Sequence, residues 1–186
     1  MSWGTTEART STFRPFWPAF NHPVRQETMI IRPFKREADT DAVIALLHAL
    51  NLHEASLGAA RDERHEGAVA CLENDIHEAK HSGGELHVAE EDGVVVGYIG
   101  MAIGKAGPFI PADIRDHVHV ENLVVAEDYR QRGIGKALLG KAEDLARRRG
   151  LRSITLGVVS GNTPAEETYR RAGFKPSAIE MRRVLE

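Results

Sequence analysis

Residues 123–136 read LVVAEDYRQRGIGK, and this stretch decides the fold of the 186-residue chain. An apolar run ends in a short polar turn, and an Arg-x-x-Gly-x-Gly sequence then leads into a predicted helix. Gly133 and Gly135 lack a Cβ atom, so a ligand can come close to the backbone. The N–H groups and the dipole at the start of the helix favour an anion. The stretch therefore predicts a turn that binds a pyrophosphate.

Basic side chains surround this turn, since Arg130, Arg132 and Lys136 lie in or beside it. Other glycine-rich phosphate motifs fit the sequence less well. A dinucleotide-binding Rossmann turn needs a third glycine, whereas Ala137 and Leu138 follow Lys136. The chain also lacks the Gly-Lys-Ser/Thr sequence of a P-loop. Taken alone, the stretch could also be a glycine-rich turn before a solvated basic helix.

A second motif follows the predicted helix. The strand-like run 154–159 leads into residues 162–174, which read NTPAEETYRRAGF and contain Asn-x-x-Ala-x-x-x-Tyr-x-x-x-Gly-Phe. Strand, Arg-x-x-Gly-x-Gly, helix, strand and this second motif, in that order, resemble the GNAT superfamily of acetyl-CoA-dependent N-acetyltransferases. The two motifs cover about residues 120–174. The order of the predicted elements extends the resemblance to about residues 29–186.

The resemblance implies an α/β fold with a mixed, largely antiparallel central sheet that is splayed at the cofactor site and flanked by helices. It implies acetyl-CoA as the co-substrate, and we expect no metal because no third ligand has the spacing of a metal site. The pantetheine arm would lie in the splay beside residues 123–125. Asn162 would contact the pantetheine or a phosphate, unless it is an ordinary helix cap. The residues that match cofactor-binding positions are Leu123, Val124, Val125, Arg130, Gln131, Arg132, Gly133, Ile134, Gly135, Lys136, Asn162 and Tyr169.

Acetyl transfer to an amine also needs proton transfers. An alkyl amine has a pKa near ~10, so it must lose a proton before it attacks the thioester. The carbonyl must be polarised, and the departing thiolate benefits from a proton. In the family, the tyrosine of the second motif commonly faces the sulfur of CoA and protonates it, and Tyr169 matches that tyrosine. The alternative is a helix tyrosine that packs its ring and leaves its hydroxyl in water.

The general base is less well defined. His117, His119 and Glu121 alternate along a predicted strand, so we expect them to share one face. Glu121 matches an acidic position that several GNAT branches use, directly or through water, to deprotonate the amine. His119 competes with it, because imidazole titrates near neutral pH. An exposed polar strand face would explain all three residues without catalysis, and no third ligand has the spacing of a metal site.

The composition excludes several classes of function. The net charge of −3 argues against nucleic-acid binding through a general basic surface. No apolar run reaches the ~20 residues of a membrane span, and the N-terminus lacks a secretory signal. Cys71 is the single cysteine, which favours a reducing compartment, and we interpret it as a packing residue. We therefore expect a cytoplasmic protein without a membrane partner, and the sequence leaves a homodimer open.

The chain divides into an N-terminal extension, residues 1–28, and an N-acetyltransferase domain, residues 29–186. The extension is either an upstream sequence before a natural start at Met29 or an aromatic anchor for the domain or a partner. Hydrophobic periodicity predicts the following elements of the domain: strand 29–34, helix 39–51, helix 62–81, hairpin strands 86–90 and 94–103, strand 117–126, helix 133–149, strand 152–159, helix 164–172 and strand 179–185.

These observations favour an enzyme that transfers an acetyl group from acetyl-CoA to a primary amine by direct attack, with Tyr169 as the acid and Glu121 as the first-choice base. One alternative is a CoA-binding sensor or interaction module without turnover. Another is the transfer of a different acyl group. The sequence does not define the acceptor, which is a small molecule or a peptide. Its site would be shaped by helices 39–81 and the loop 104–116, where members of the family vary most.

Overall fold

A five-stranded sheet forms the centre of the molecule, whose structure is a computed structural model that describes residues 29–185. Neighbouring strands follow chain order, and every pair is antiparallel except β4 with β5. The strands are β1 (Met29–Pro33), β2 (Glu85–Glu91), β3 (Val94–Lys105), β4 (Asp116–Val125) and β5 (Ile154–Leu156). This topology confirms the predicted mixed, largely antiparallel α/β sheet.

Helices cover both faces of the sheet. They are α1 (Arg36–Ser56), α2 (His65–Ser82), α3 (Ala112–Arg115), α4 (Ile134–Arg149) and α5 (Thr163–Arg171). α1 and α2 bury Leu47 and Leu72 against one face, where Tyr98 is fully buried. α4 buries Leu138 and Leu145 against the other face. The apolar stripe of each long helix therefore faces the sheet, as the periodicity predicted.

The first helix begins at Arg36, before the predicted start at Asp39. Asp39 lies inside the first turn, where its carboxylate accepts a hydrogen bond from the Lys35 N–H (2.7 Å) and pairs with Arg32 of β1 (2.7 Å). The Arg32 guanidinium holds the pKa of this buried carboxyl below its usual range. The pair ties the first strand to the first helix.

A β-bulge in β4 controls the direction of its side chains. Gly100 of β3 pairs with Asn122, and Met101 pairs with Val120, so Glu121 is an extra residue with no partner opposite it.

The bulge reverses the side of the sheet toward which each side chain of β4 points. Val118 and Val120 pack in the core under α4, whereas Val124, an even number of residues further on, packs under α1 and α2. Strict alternation, which predicted one shared face for His117, His119 and Glu121, is therefore interrupted at Glu121.

The sheet opens between β4 and β5. Their pairing covers only Val118–Val120 and Ile154–Leu156, so the predicted strand 152–159 is longer than the observed one. Within residues 29–185, no strand pairs with the β5 side of β4 from Glu121 to Val125. This opening agrees with the splay that the resemblance implied.

The predicted last strand, 179–185, is wrong, because this segment forms no strand. Ile179, Met181 and Val184 are all more than 80% exposed. A strand needs a neighbouring edge for its N–H and C=O groups, and β5 offers only three residues. Residues 1–28 lie outside the described part of the chain, so the boundary between the extension and the domain stays a prediction.

Candidate active site

The glycine-rich turn lies between a short 3-10 turn, Glu127–Tyr129, and the start of α4. Gly133 has a φ of 83° and Gln131 a φ of 64°, so the backbone enters the left-handed region twice before the helix. A non-glycine residue is strained in this region. The turn therefore holds a strained backbone conformation beside the helix start, which is common at ligand-binding turns.

The fold itself does not require a glycine at position 135. Its φ is not positive, and a Cβ atom there would lie no closer than 3.9 Å to another residue, at Val125 Cγ2. The first bond of α4 runs from the Ala137 N–H to the Gly133 carbonyl (3.0 Å), which leaves the N–H groups of residues 134–136 without helical partners. Gly135 lies among these N–H groups, so its lack of a side chain agrees with room kept for an anion.

The three basic side chains of the turn differ in their contacts. Arg132 lies 3.5 Å from Glu91 and donates a hydrogen bond to a carbonyl of the 3-10 turn (3.0 Å). Arg130 donates to the carbonyl of Val125 at the end of β4 (3.2 Å). Lys136 is exposed in the first turn of α4 and forms no ion pair within residues 29–185. The arginines therefore contact the turn itself, and Lys136 is the cation of the three without a partner within residues 29–185.

The open edge of β4 leads directly into this turn. Leu123 and Val125 pack toward α4, and Val124 packs toward α1 and α2. Their side chains are thus fixed in the core, while the backbone on the β5 side has no strand partner within residues 29–185. An extended ligand with amide groups, such as pantetheine, can pair with a backbone edge of this kind.

The second motif forms the start and body of α5. Asn162 caps the helix, since its Oδ1 accepts a hydrogen bond from the Ala165 N–H (3.3 Å). The half-buried Tyr169 packs edge-on against Phe174, with ring centroids 6.1 Å apart. Burial, with a smaller contribution from the charge of Glu54, raises the pKa of the Tyr169 hydroxyl above its usual value. Like an ordinary tyrosine, the hydroxyl keeps its proton at neutral pH, as a proton donor must.

A cleft of about 330 Å³ separates α2 from the bulge of β4. Its lining residues are Arg61, Ala70, Cys71, Asn74, Asp75, Glu121 and Asn122. Arg61 is the cation of this set, and its guanidinium lies 2.5 Å from Oε2 of the buried Glu54 on α1. Because Glu54 neutralises Arg61, the charge of the cleft is set by Asp75 and Glu121.

Asp75 lies at the buried end of this cleft. It is 1% exposed, and its Oδ2 accepts a hydrogen bond from the Tyr98 hydroxyl (2.8 Å). The Asn122 amide donates to both carboxylate oxygens (2.9 and 3.0 Å). Burial raises the pKa of Asp75 to about 6, although the bonds from Asn122 and Tyr98 act in the opposite direction, and the charge of Glu121 adds to the rise. Asp75 therefore titrates close to neutral pH.

The predicted histidine candidate lies elsewhere on β4. His119 Nδ1 is 2.8 Å from the Thr155 hydroxyl of β5, and neither His119 nor His117 lines the cleft. The His117 Nδ1 is 2.9 Å from the Arg115 carbonyl, and the two imidazole rings stand 6.4 Å apart. Of the two predicted bases, only Glu121 thus shares the cleft with Asp75.

Two further properties concern the part of the chain between residues 29 and 185. None of its helices combines the length and the apolar character needed to cross a bilayer. It also holds no group of three or more His, Cys, Asp or Glu side chains arranged to bind a metal ion.

Sequence reasoning missed Asp75, although a signal was present. In the predicted helix 62–81, Asp75 lies three residues after Leu72 and four before Ala79, so it occupies the apolar stripe. A carboxylate at a stripe position predicts either a buried polar contact or a functional group. The sequence could not pair it with Tyr98 and Asn122, because these partners lie on β3 and β4, far along the chain from α2.

Comparison with known proteins identifies relatives of this chain. Residues 41–174 match the family model described as the acetyltransferase (GNAT) family. A probable N-acetyltransferase camello from Xenopus tropicalis is 39% identical over 94 residues, which are 50% of this chain and 40% of that protein. A putative [ribosomal protein bS18]-alanine N-acetyltransferase from Bacillus subtilis (strain 168) is 28% identical over 92 residues, covering 50% of this chain and 54% of that protein. The matched segments thus span about half of these curated relatives.

A solved structure supports the same fold. An aminoglycoside N-acetyltransferase in complex with CoA superposes with a TM-score of 0.66 at 18% identity, covering 86% of this chain and 97% of that one. At this identity the likeness concerns the fold alone. The family model spans most of the domain, including the open edge of β4, the glycine-rich turn and the second motif. The chain therefore belongs to the acetyltransferase (GNAT) family.

Proposed function

We propose that this protein transfers an acetyl group from acetyl-CoA to a primary amine by direct attack of the amine on the thioester. One observation carries the proposal: β4 joins the glycine-rich turn, the unpaired strand edge and the carboxylate of Glu121 in one continuous segment. The turn and α4 would bind the pyrophosphate, and the edge would bind the pantetheine arm. The acyl end would then lie near the bulge, where the cleft opens.

Two side chains have the chemistry for the proton transfers. Tyr169, whose hydroxyl is protonated at neutral pH, is the proposed acid for the departing thiolate. Glu121 lines the cleft and is the proposed base, acting directly or through water. His119 is the second candidate for the base. Holding both reactants side by side would supply a large part of the rate.

The acceptor we propose is a cationic amine. With Arg61 paired to Glu54, the cleft carries two carboxyl groups, Asp75 and Glu121, without a compensating cation within residues 29–185. Such a cleft favours an ammonium group over an anionic acceptor. The Bacillus relative is named for an alanine of a ribosomal protein, and the solved neighbour is named for aminoglycosides. Peptide and small-molecule amines therefore both belong among the acceptors to be tested.

The decisive experiment measures thiol release from acetyl-CoA with purified protein and a panel of amines: polyamines, aminoglycosides, free N-terminal peptides and lysine peptides. We expect thiol release above the amine-free control with at least one amine, and mass spectrometry should find the acetylated product. Propionyl-CoA in a parallel series tests whether another acyl group is preferred. CoA binding without transfer to any amine would favour the alternative, a sensor or interaction module without turnover.

A further inference from the structure

Asp75 is a buried carboxyl group that only neutral groups contact. Its hydrogen-bond donors are the Tyr98 hydroxyl and the Asn122 amide, and no Lys, Arg or His pairs with it within residues 29–185. A buried carboxylate without a cation lowers the stability of a fold. Groups of this kind are often kept because function requires them.

The contact between Asp75 and Asn122 fixes the orientation of the Asn122 amide. An ionised carboxylate accepts hydrogen bonds and cannot donate them. The Asn122 NH₂ group, 2.9 and 3.0 Å from the two carboxylate oxygens, must therefore face Asp75. Because the amide is planar, its oxygen Oδ1 is turned away from Asp75, and it accepts no hydrogen bond from any group in residues 29–185.

This orientation matters because Asn122 lines the cleft directly beside Glu121. An amine nitrogen carries N–H donors that need acceptors when water is excluded. The carbonyl oxygen of Asn122 is such an acceptor, whereas a reversed amide would present N–H groups that repel the donors of an amine. The carboxylate of Asp75 thus determines whether Asn122 presents its carbonyl oxygen, an acceptor, or its NH₂ group, a donor, to the cleft.

We propose that Asp75 is a positioning residue for acetyl transfer: it turns the Asn122 carbonyl oxygen toward the acceptor amine in the cleft, where that oxygen holds the amine beside Glu121. The inference rests on the proposed function, because it assigns the cleft to the acceptor. Asp75 acts through Asn122, and Asn122 contacts the amine.

The main test exchanges the two side chains. In Asp75→Asn, the new amide can donate to Asn122 and reverse it, so kcat/KM for the amine should fall about tenfold or more, the factor expected for one hydrogen bond to a charged group. The KM for acetyl-CoA should not change. In the double variant Asp75→Asn with Asn122→Asp, an oxygen faces the cleft again, and activity should return to within about threefold of the wild type. Full activity of Asp75→Asn, or no recovery in the double variant, would overturn the proposal.

A matched control separates positioning from folding. Tyr98→Phe removes the other hydrogen bond to Asp75 but leaves the Asn122 contact in place. We expect this variant to lose thermal stability and to keep kcat/KM for the amine within about threefold of the wild type, since only one buried hydrogen bond is lost. A loss of kcat/KM equal to that of Asp75→Asn would mean that Asp75 acts only by supporting the core, which would refute the role of Asn122.

A second readout does not depend on turnover. The side-chain NH₂ signals of Asn122 in a ¹⁵N NMR spectrum should shift with pH with a midpoint near 6, as Asp75 ionises, and this titration should vanish in Asp75→Asn. Signals that do not respond to Asp75 would refute the orientation. If the wild type acetylates no amine while the titration is present, the proposed function fails and the orientation of Asn122 by Asp75 stands.

Discussion

Gly100 leaves the space that the carboxyl group of Asp75 occupies. A Cβ atom at position 100 would lie 2.5 Å from Asp75 Oδ2 and 2.9 Å from the Tyr98 hydroxyl. The glycine lies on β3 opposite the bulge of β4, since it pairs with Asn122. The bulge, the buried carboxyl and the glycine therefore form one unit that joins α2 to the two central strands.

Gly100→Ala tests this unit. The added methyl group must displace the Asp75 carboxyl, so we expect unfolding in urea to show a loss of about 1–3 kcal/mol, the range for an overpacked core. Acetyl transfer should fall as well, because Asn122 loses its partner. Gly140→Ala in α4 is the control, since a Cβ there meets nothing within 4 Å and should leave stability unchanged or slightly raised. Equal stability of Gly100→Ala and the wild type would contradict the crowding argument.

Gly135→Glu tests the glycine-rich turn. The substitution places bulk and negative charge before the free N–H groups at the start of α4, so the affinity for CoA should fall steeply while the fold survives. Isothermal titration calorimetry measures the affinity, and circular dichroism checks the fold. Gly140→Glu, on the same helix but away from its start, should bind CoA like the wild type. Unchanged binding by Gly135→Glu would remove the turn from the cofactor site.

Tyr169→Phe tests the proposed acid. The change keeps the ring that packs against Phe174 and removes the proton donor, so kcat should fall ~10²-fold, within the usual range for an acid catalyst. The KM for acetyl-CoA should change less. The matched control is Tyr129→Phe, which should keep the kcat of the wild type. The Tyr129 ring lies under the guanidinium of Arg132, outside the second motif. Full activity of Tyr169→Phe would mean that water or another group protonates the thiolate.

The two candidate bases can be separated by their pH profiles. Glu121→Gln should lower kcat/KM strongly at every pH at which the wild type is active, because Glu121 lines the cleft. His119→Asn should have a weaker effect and keep the acid limb of the profile. If His119→Asn abolishes that limb and Glu121→Gln is nearly silent, the roles reverse. If neither substitution matters, the site binds the minor free-amine form from solution.

The raised pKa of Asp75 predicts how stability depends on pH. Its value of about 6 in the folded state lies above the ~4 of an unfolded aspartate, so between these pH values the folded protein binds more protons. The contribution of Asp75 to the free energy of unfolding therefore falls as the pH rises from about 4 to about 6, and it stays lost above that range. Asp75→Asn should remove this dependence and gain on the order of 2 kcal/mol relative to the wild type at pH 8. Urea unfolding at pH 4.5 and pH 8 measures it, and a wild-type curve that is flat after the other carboxyl groups are accounted for would contradict the raised pKa.

Sequence reasoning reached the fold because its signals are local. Hydrophobic periodicity predicted the ends of α4 to within one residue and those of α2 to within three, and the glycine-rich turn lies where the motif placed it. The bulge at Glu121 was not predictable, since it exists only in the register between β3 and β4. For the segment 179–185, the sequence predicted a strand that the structure does not contain. Its composition is that of a strand, but strand formation depends on a neighbouring edge that the segment itself does not contain.

The early end of β5 has a consequence for folding as well as for binding. It creates an unpaired edge inside the sheet rather than at its rim, and unpaired edges tend to form hydrogen bonds with another chain. An extended ligand with alternating donors and acceptors satisfies the same groups as a missing strand would. A protein that binds such a ligand completes its sheet in the same step. Its resistance to heat therefore rises with the ligand concentration, because conformational stability and affinity are linked through one thermodynamic cycle.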